Sequence, residues 1–157
     1  MLKYGAEKYD APEEDLICCE VQDFDFKSFS EQVSLWFCWW NACYLNHTQL
    51  IHYLTNMMST LRLPQQPAGS PSLAQFSGYI ILAEPTGKET TINGFKGQSM
   101  AVRPASYYEQ IFKDLNLDVI YFEDYESYKA NETTTINEER VWLLKESPHS
   151  PWYKLGL

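Results

Sequence analysis

A strand that runs directly into an amphipathic helix is predicted by residues 34–63, SLWFCWWNACYLNHTQLIHYLTNMMSTLRL. Val33 begins an almost unbroken apolar and aromatic run that reaches Trp40. Such a run is typical of a strand that is buried on both faces, which favours a central strand of a parallel sheet. The rest of the chain is therefore expected to be arranged around this strand.

The helix after this strand has a recognisable beginning and end. Asn46 or Thr48 can cap it, and Pro64 stops it. Apolar residues recur at helical spacing and form one stripe: Leu50, Leu54, Met57 and Leu61. Another strand is predicted at Tyr79–Ala83, so the order strand, helix, strand indicates a right-handed crossover unit of an α/β sheet.

The chain is acidic and of single-domain size. It has 157 residues, with 12 Lys and Arg against 21 Asp and Glu, which gives a net charge of -9. This sign disfavours contact with a phosphate backbone, so no direct nucleic-acid partner is expected. No apolar run reaches the ~20 residues that cross a bilayer, so no transmembrane segment is expected either.

The cysteines and histidines do not have the spacing of a metal site. Cys18, Cys19, Cys38 and Cys43 lack CxxC pairs, and two histidines of the predicted helix are five residues apart. The cysteines are interpreted as buried free thiols in a reducing compartment, the cytoplasm or the nucleus, with mitochondrial import left open. No metal ligand is therefore predicted.

Composition divides the chain into three parts. Residues 1–15 are predicted to form an extended acidic arm, residues 16–146 an α/β domain with an inserted loop at 64–76, and residues 147–157 a C-terminal tail. The other expected elements are a strand at Leu16–Val21, a loop at Pro85–Gln98, a helix at Pro104–Leu115, a strand at Asp118–Phe122, an acidic loop at Glu123–Glu139 and a strand at Arg140–Lys145. The last two strands have no helix between them, which predicts an antiparallel pair.

Several stretches in this order are distinctive. They are Cys18-Cys19-Glu20-Val21-Gln22-Asp23-Phe24, a strand that ends in Trp40, Tyr44-Leu45-Asn46 before the helix, and Gly78-Tyr79-Ile80-Ile81-Leu82. Over about Leu16–Lys145 the chain resembles the alpha-N-terminal protein methyltransferases, a family of class I S-adenosylmethionine-dependent enzymes. The resemblance implies a partial Rossmann-like methyltransferase sheet, with parallel strands and a C-terminal antiparallel pair.

The resemblance also implies roles for particular residues. Val21 and Gln22 match the pair along the adenine of the cofactor, and Trp39 stands at a cofactor-side glutamine position. Trp40 matches an aromatic residue that shapes the pocket for the substrate amine. Tyr44 stands where the family has a histidine that handles the amine proton, and Glu84 matches the acid that closes the next strand. Tyr44 and Glu84 are therefore the catalytic candidates.

Other positions depart from the family pattern. The amide after the closing acid is Pro85, and the acidic cluster that holds the substrate falls on Phe95, Lys96 and Gln98. A simpler, structural interpretation is also open for the tryptophans and for the two catalytic candidates. Trp36, Trp39 and Trp40 can be core or interface residues, and Tyr44 and Glu84 can have capping roles.

The resemblance begins at the third strand of the family's sheet. The first two strands and their helix are missing, and no glycine-rich GxGxG turn follows a strand. Loss of these strands leaves a gap in the sheet. Either another chain supplies the missing strands, or the strand at Leu16–Val21 pairs directly with the strand that begins near Val33. At least one other protein chain is expected as a partner in both cases.

Three hypotheses follow. The first is a catalytically inactive methyltransferase-fold subunit with a structural or assembly role in a larger complex and no cofactor. The second is the C-terminal half of a split methyltransferase that acts on a protein N-terminus, with S-adenosylmethionine bound once a partner completes the site. The third is that the chain is a fragment of a longer protein.

Overall fold

The computed structural model describes residues 19, 21–29, 33–61, 78–93, 98–129 and 135–147. The arm 1–15, the inserted loop 64–76 and the tail beyond Ser147 lie outside these described residues. So does most of the strand expected at Leu16–Val21. Its last residue begins a short 3-10 turn, Val21–Asp23, instead of ending a strand.

Six strands and two α-helices make up the described fold. In chain order they are β1 (Leu35–Trp39), α1 (His47–Thr60), β2 (Tyr79–Thr86), β3 (Thr90–Asn93), β4 (Ser99–Val102), α2 (Ala105–Asp114), β5 (Leu117–Lys129) and β6 (Thr135–Glu146). The main sheet has the order β1-β2-β6-β5. β1 is parallel to β2, whereas β6 is antiparallel to both of its neighbours. The expected α/β sheet with a C-terminal antiparallel pair is confirmed.

A sequence signal accounts for the start of α1, and another accounts for the end of α2. Asn46 and Gln49 form a capping box at the start of α1, in which each side chain accepts a hydrogen bond from the other residue's backbone N–H. Beyond α2, Asn116 has a φ of 56°, a left-handed conformation in which asparagine often ends helices. Neither of these two described helices is long and apolar enough to cross a membrane.

The hydrophobic core lies between the two helices and one face of the main sheet. Its fully buried members include Cys38, Leu50, Leu54, Met57, Ile80, Leu82, Phe112, Trp142 and Leu144. Three of them, Leu50, Leu54 and Met57, belong to the apolar stripe that the sequence predicts for α1. The indole N–H of Trp36 donates to the hydroxyl of Thr60 at 2.9 Å, which fixes β1 to the end of α1.

The other face of the main sheet, the open face, is not covered by any described element. On β1, Leu35, Phe37 and Trp39 are 46%, 61% and 60% exposed. The expectation that this strand is buried on both faces is therefore wrong, and within the described sheet the strand lies at an edge instead of the centre. The reason is that α1 and α2 both pack against the face that carries Cys38, Ile80 and Trp142.

Two stretches expected to be loops are largely strands. Residues 85 and 86 continue β2, and β3 pairs with β4 as a separate two-stranded sheet. The stretch expected as an acidic loop, Glu123–Glu139, carries the paired ends of β5 and β6. An exposed two-stranded ribbon has polar side chains on both faces, so it lacks the alternation that identifies a half-buried strand.

Candidate functional site

A cleft lies beyond the carboxyl end of β1, and we call it the β1 cleft. It has a volume of about 460 Å³ and is lined by Cys19, Val21, Asn41, Tyr44, Leu45, Gln49, Gln98 and Ser99. Ligands of open α/β sheets bind at this end of the strands. The lining offers amides, hydroxyls, a thiol and apolar surface, but it contains no carboxylate, imidazole or amine among the described residues.

The floor of the cleft is the connector Asn41–Leu45, which joins β1 to α1 and contains the 3-10 turn Ala42–Tyr44. The carboxylate of Glu84 accepts three backbone N–H groups of this connector. Its Oε1 accepts from Asn41 at 3.0 Å and Ala42 at 2.8 Å, and its Oε2 accepts from Cys43 at 2.9 Å. Glu84 thereby fixes the connector to the end of β2.

Arg103, which follows β4, holds the same connector by its carbonyl groups. Its guanidinium donates to the carbonyl oxygen of Ala42 at 3.2 Å and to that of Leu45 at 2.6 Å. The guanidinium carbon also lies 5.1 Å from the centre of the Tyr107 ring, within the range of a cation–π contact. The connector is therefore held by one buried acid and one buried base.

The environment of Glu84 changes its proton affinity. Complete burial raises the pKa of Glu84 to about 7, and the N–H groups of Ala42, Cys43 and Asn41 oppose this by stabilising the anion. A carboxyl group with such a pKa could serve as a base at neutral pH. Glu84, however, faces the connector and is not among the residues that line the cleft.

The structure brings together only some of the residues chosen from the sequence. Val21 and Tyr44 line the β1 cleft, whereas Glu84 lies behind the connector and Trp39 is exposed on the open face. Trp40 has a φ of 53° and packs, half-buried, against Cys43 and Met100. The side chain of Gln22 lies outside the described residues.

Other residues of the site were not identified from the sequence. Asn41, Gln49 and Ser99 line the cleft, and Arg103 supports it. Gln49 could have been found, because the pattern Asn46-x-x-Gln49 is a capping box that places the glutamine at the start of the helix. Arg103 gives no such signal, because its acceptors are about sixty residues away along the chain.

The described cysteines are free thiols. Cys38 and Cys43 are buried, as the sequence predicts, whereas Cys19 is exposed. Burial raises the pKa of the Cys38 thiol to about 11, which disfavours the reactive thiolate. Within the described ranges, no group of three or more His, Cys, Asp or Glu residues could hold a metal ion.

The sequence matches no protein-family model and no curated protein. Among solved structures, the chain is similar to a 1,6-didemethyltoxoflavin-N1-methyltransferase from Burkholderia thailandensis with bound 1,6-didemethyltoxoflavin and S-adenosylhomocysteine. The TM-score is 0.54 at 8% identity, over 83% of this chain and 50% of that one. A SAM-dependent methyltransferase of the DUF858 family from Leishmania major has a TM-score of 0.48 at 16% identity, over 73% of this chain and 42% of that one.

The chain thus spans no more than half the length of these two proteins. At 8% identity, the similarity to the Burkholderia enzyme extends to the fold alone. The narrower resemblance to the alpha-N-terminal protein methyltransferases remains a prediction. The parallel β1–β2 pair, the antiparallel β5–β6 pair and this structural similarity agree, and the chain has a methyltransferase fold.

Proposed function

We propose that the chain is a methyltransferase-fold subunit that has a structural role in a larger protein assembly and does not itself catalyse methyl transfer. The observation that carries this proposal is the position of Glu84. Methyl transfer to an amine needs a group that removes a proton or presents the nitrogen lone pair to the methyl group. Glu84 is the acid that resembles such a group, and the connector occupies both of its oxygens.

The described residues that line the β1 cleft offer no substitute for Glu84. Tyr44 contributes a hydroxyl, which hydrogen-bonds well but is a poor base at neutral pH. Asn41, Gln49 and Gln98 contribute amides, which do not take up protons under these conditions. The open face of the sheet supports the assembly role, because large exposed apolar surfaces mark interaction sites.

A second candidate is the split methyltransferase, completed by a partner chain. The observation that favours it is the lining of the β1 cleft, where Val21 and the amides of Asn41 and Gln49 suit an adenine ring. Apolar contact with a few placed polar groups is what such a ring requires. The described lining contains no carboxylate for ribose hydroxyls, so in this case the partner would supply that group together with the glycine-rich turn.

Calorimetry separates the two candidates. The full chain is purified from its native source with the proteins that accompany it, and the assembly is titrated with S-adenosylmethionine. We expect no binding tighter than about 100 μM, which corresponds to roughly -5.5 kcal/mol. Tighter binding that disappears in a Val21→Arg variant would contradict the structural role and support the split enzyme.

A further inference from the structure

The two edges of the main sheet are built differently. The β5 edge carries Asp118, Glu123 and Asp124 and is interrupted by an irregularity between Val119 and Tyr121. Charges and bulges of this kind prevent edge strands from pairing with other chains. The β1 edge, Leu-Trp-Phe-Cys-Trp, has no charge, proline or bulge, and no Asp, Glu, Lys or Arg occurs between Glu31 and Arg62. Only the β5 edge is protected against pairing.

The backbone of β1 leaves hydrogen-bonding groups at this unprotected edge. Toward β2, the carbonyl of Ser34 accepts from Gly78 and the N–H of Trp40 donates to Ala83. Alternate residues of a strand direct their backbone groups to opposite edges. The N–H and C=O groups of Leu35, Phe37 and Trp39 therefore point away from β2. On that side, Val33 just before β1 donates to the carbonyl of Thr60 and forms a bridge with Leu61, but β1 itself has no partner among the described strands.

The side chains of the same three residues form one end of an apolar surface. The register places Phe37, Ile81, Leu143 and Tyr121 in one row across the open face. Phe37 and Tyr121 are exposed, and the two residues between them are half-buried. The unprotected edge and the apolar face thus meet along β1, so one partner can cover both.

A second copy of the chain cannot cover both the β1 edge and the open face. Two identical edge strands pair antiparallel about a two-fold axis that is perpendicular to the sheet. The open faces of the two copies then lie side by side on the same side of the joined sheet. Such a dimer satisfies the β1 edge but doubles the exposed apolar surface, which argues for a partner with a different sequence.

Charge around the open face further defines that partner. Asp118, Glu123 and Glu139 share the face with Phe37 and Leu143. Among the residues whose side chains the structure describes, Lys145 is the only basic one on this face, and its ammonium group lies 5.1 Å from the centre of the Tyr79 ring. The whole chain has a net charge of -9. A partner with basic residues beside its apolar contact surface would complement this distribution.

We propose that β1 and the open face bind a different polypeptide, which adds a β-strand to the β1 edge and places an apolar, basic-flanked helix over Phe37, Ile81 and Leu143. A sheet face of this kind is normally covered by a layer of helices, and strand addition satisfies an open edge through backbone hydrogen bonds. The inference rests on the proposed assembly function and names its binding surface.

Photo-crosslinking tests which molecule occupies this surface. The full chain is expressed in its native source with the photoreactive residue p-benzoylphenylalanine at position 37, and a control carries it at Thr55, on the exposed side of α1. We expect position 37 to crosslink to one segment of a different polypeptide, and position 55 not to do so. A crosslink to a second copy, to another part of the same chain, or to no protein would overturn the proposal.

Two substitutions test the mode of binding. Leu35→Pro removes an N–H from the free edge of β1 while the hydrogen bonds to β2 remain, and Leu143→Lys places a charge on the open face. Each should reduce recovery of the crosslinked polypeptide with the tagged chain by about tenfold or more, as a loss of roughly 1.4 kcal/mol would. Thr55→Lys is the control and should change nothing. Circular dichroism verifies that the variants fold.

Equal recovery with wild type and both folded variants would overturn the binding mode. This outcome is distinct from failure of the proposed function, because calorimetry with S-adenosylmethionine reports on the β1 cleft and crosslinking reports on the open face. An assembly that binds the cofactor and still crosslinks at position 37 would refute the inactive role and leave the docking surface standing.

Discussion

Glu84 and Arg103 fix the connector between β1 and α1 from two directions. The acid accepts the N–H groups of Asn41, Ala42 and Cys43, and the base donates to the carbonyls of Ala42 and Leu45. Buried charged groups are stable only when their hydrogen-bonding capacity is used. These two residues use it on the backbone, and they thereby set the shape of the β1 cleft.

The raised pKa of Glu84 makes stability depend on pH. Between about pH 4.5 and 7 the native state holds a proton that the unfolded chain has lost. The contribution of this group to stability is therefore complete below pH 4.5 and is lost as the pH rises to about 7. For a shift of this size, the loss in the free energy of unfolding is about 3 kcal/mol.

Glu84→Gln should remove this pH dependence. Urea unfolding at low micromolar concentration, followed across this pH range, should give a flatter curve for the variant than for wild type. Glu89→Gln, at an exposed position between β2 and β3, is the matched control for the loss of one negative charge. Parallel curves for wild type and Glu84→Gln would show that the carboxyl group titrates normally.

The free energy of unfolding should respond even to a conservative substitution of Arg103. Arg103→Lys keeps the charge but replaces a planar fork that reaches two carbonyls with a single ammonium group. We expect the free energy of unfolding to fall by about 1–3 kcal/mol, and by more in Arg103→Met, which removes both donors. Faster hydrogen exchange in residues 41–45 would locate the effect at the connector. Unchanged exchange there would contradict this assignment.

The sequence indicates which single residues deserve study but not what they do. Glu84 and Tyr44 are both chosen from the sequence as catalytic candidates, yet one is a buried anchor and the other lines a cleft. The difference arises from three backbone donors that are more than forty residues away from Glu84. The sequence pattern around Glu84 contains no information on contacts with residues so far away along the chain.

Among the elements, α1 is the one whose origin is most fully visible in the sequence. The capping box of Asn46 and Gln49 starts it, and its buried stripe follows helical spacing. The long β5–β6 ribbon is the opposite case, because acidic residues on both of its faces resemble a solvated loop. Its strands are stabilised by cross-strand hydrogen bonds, which composition does not reveal.

Removal of the N-cap should therefore destabilise α1. Asn46→Ala eliminates the acceptor for the backbone N–H of Gln49, at 3.0 Å, and should lower the free energy of unfolding by about 1 kcal/mol. Asn56→Ala, at an exposed position within the same helix, is the matched control and should cause no loss, because alanine favours helices. Equal losses in urea unfolding would exclude a specific capping effect.

The described part of the chain forms a sheet with a core on one face only. β1 was expected at the centre of the sheet and buried on both faces, because its sequence is continuously apolar. That expectation is wrong, because β1 is an edge of the described sheet and one of its faces is exposed. A strand with this composition promotes association unless another polypeptide segment covers it.

Without such a partner, the isolated chain should associate with itself. Sedimentation velocity over a range of micromolar concentrations should show a rising average mass, because no described element covers the β1 edge or the open face. Phe37→Lys places a charge on the edge strand and interrupts the apolar surface of the open face. It should therefore raise the protein concentration at which half of the chain is associated by about tenfold or more. Thr55→Lys alters the net charge equally at an exposed position of α1 and should leave association unchanged. A wild-type chain that remains monomeric throughout would mean that the edge and face are already protected, and the need for a partner would disappear.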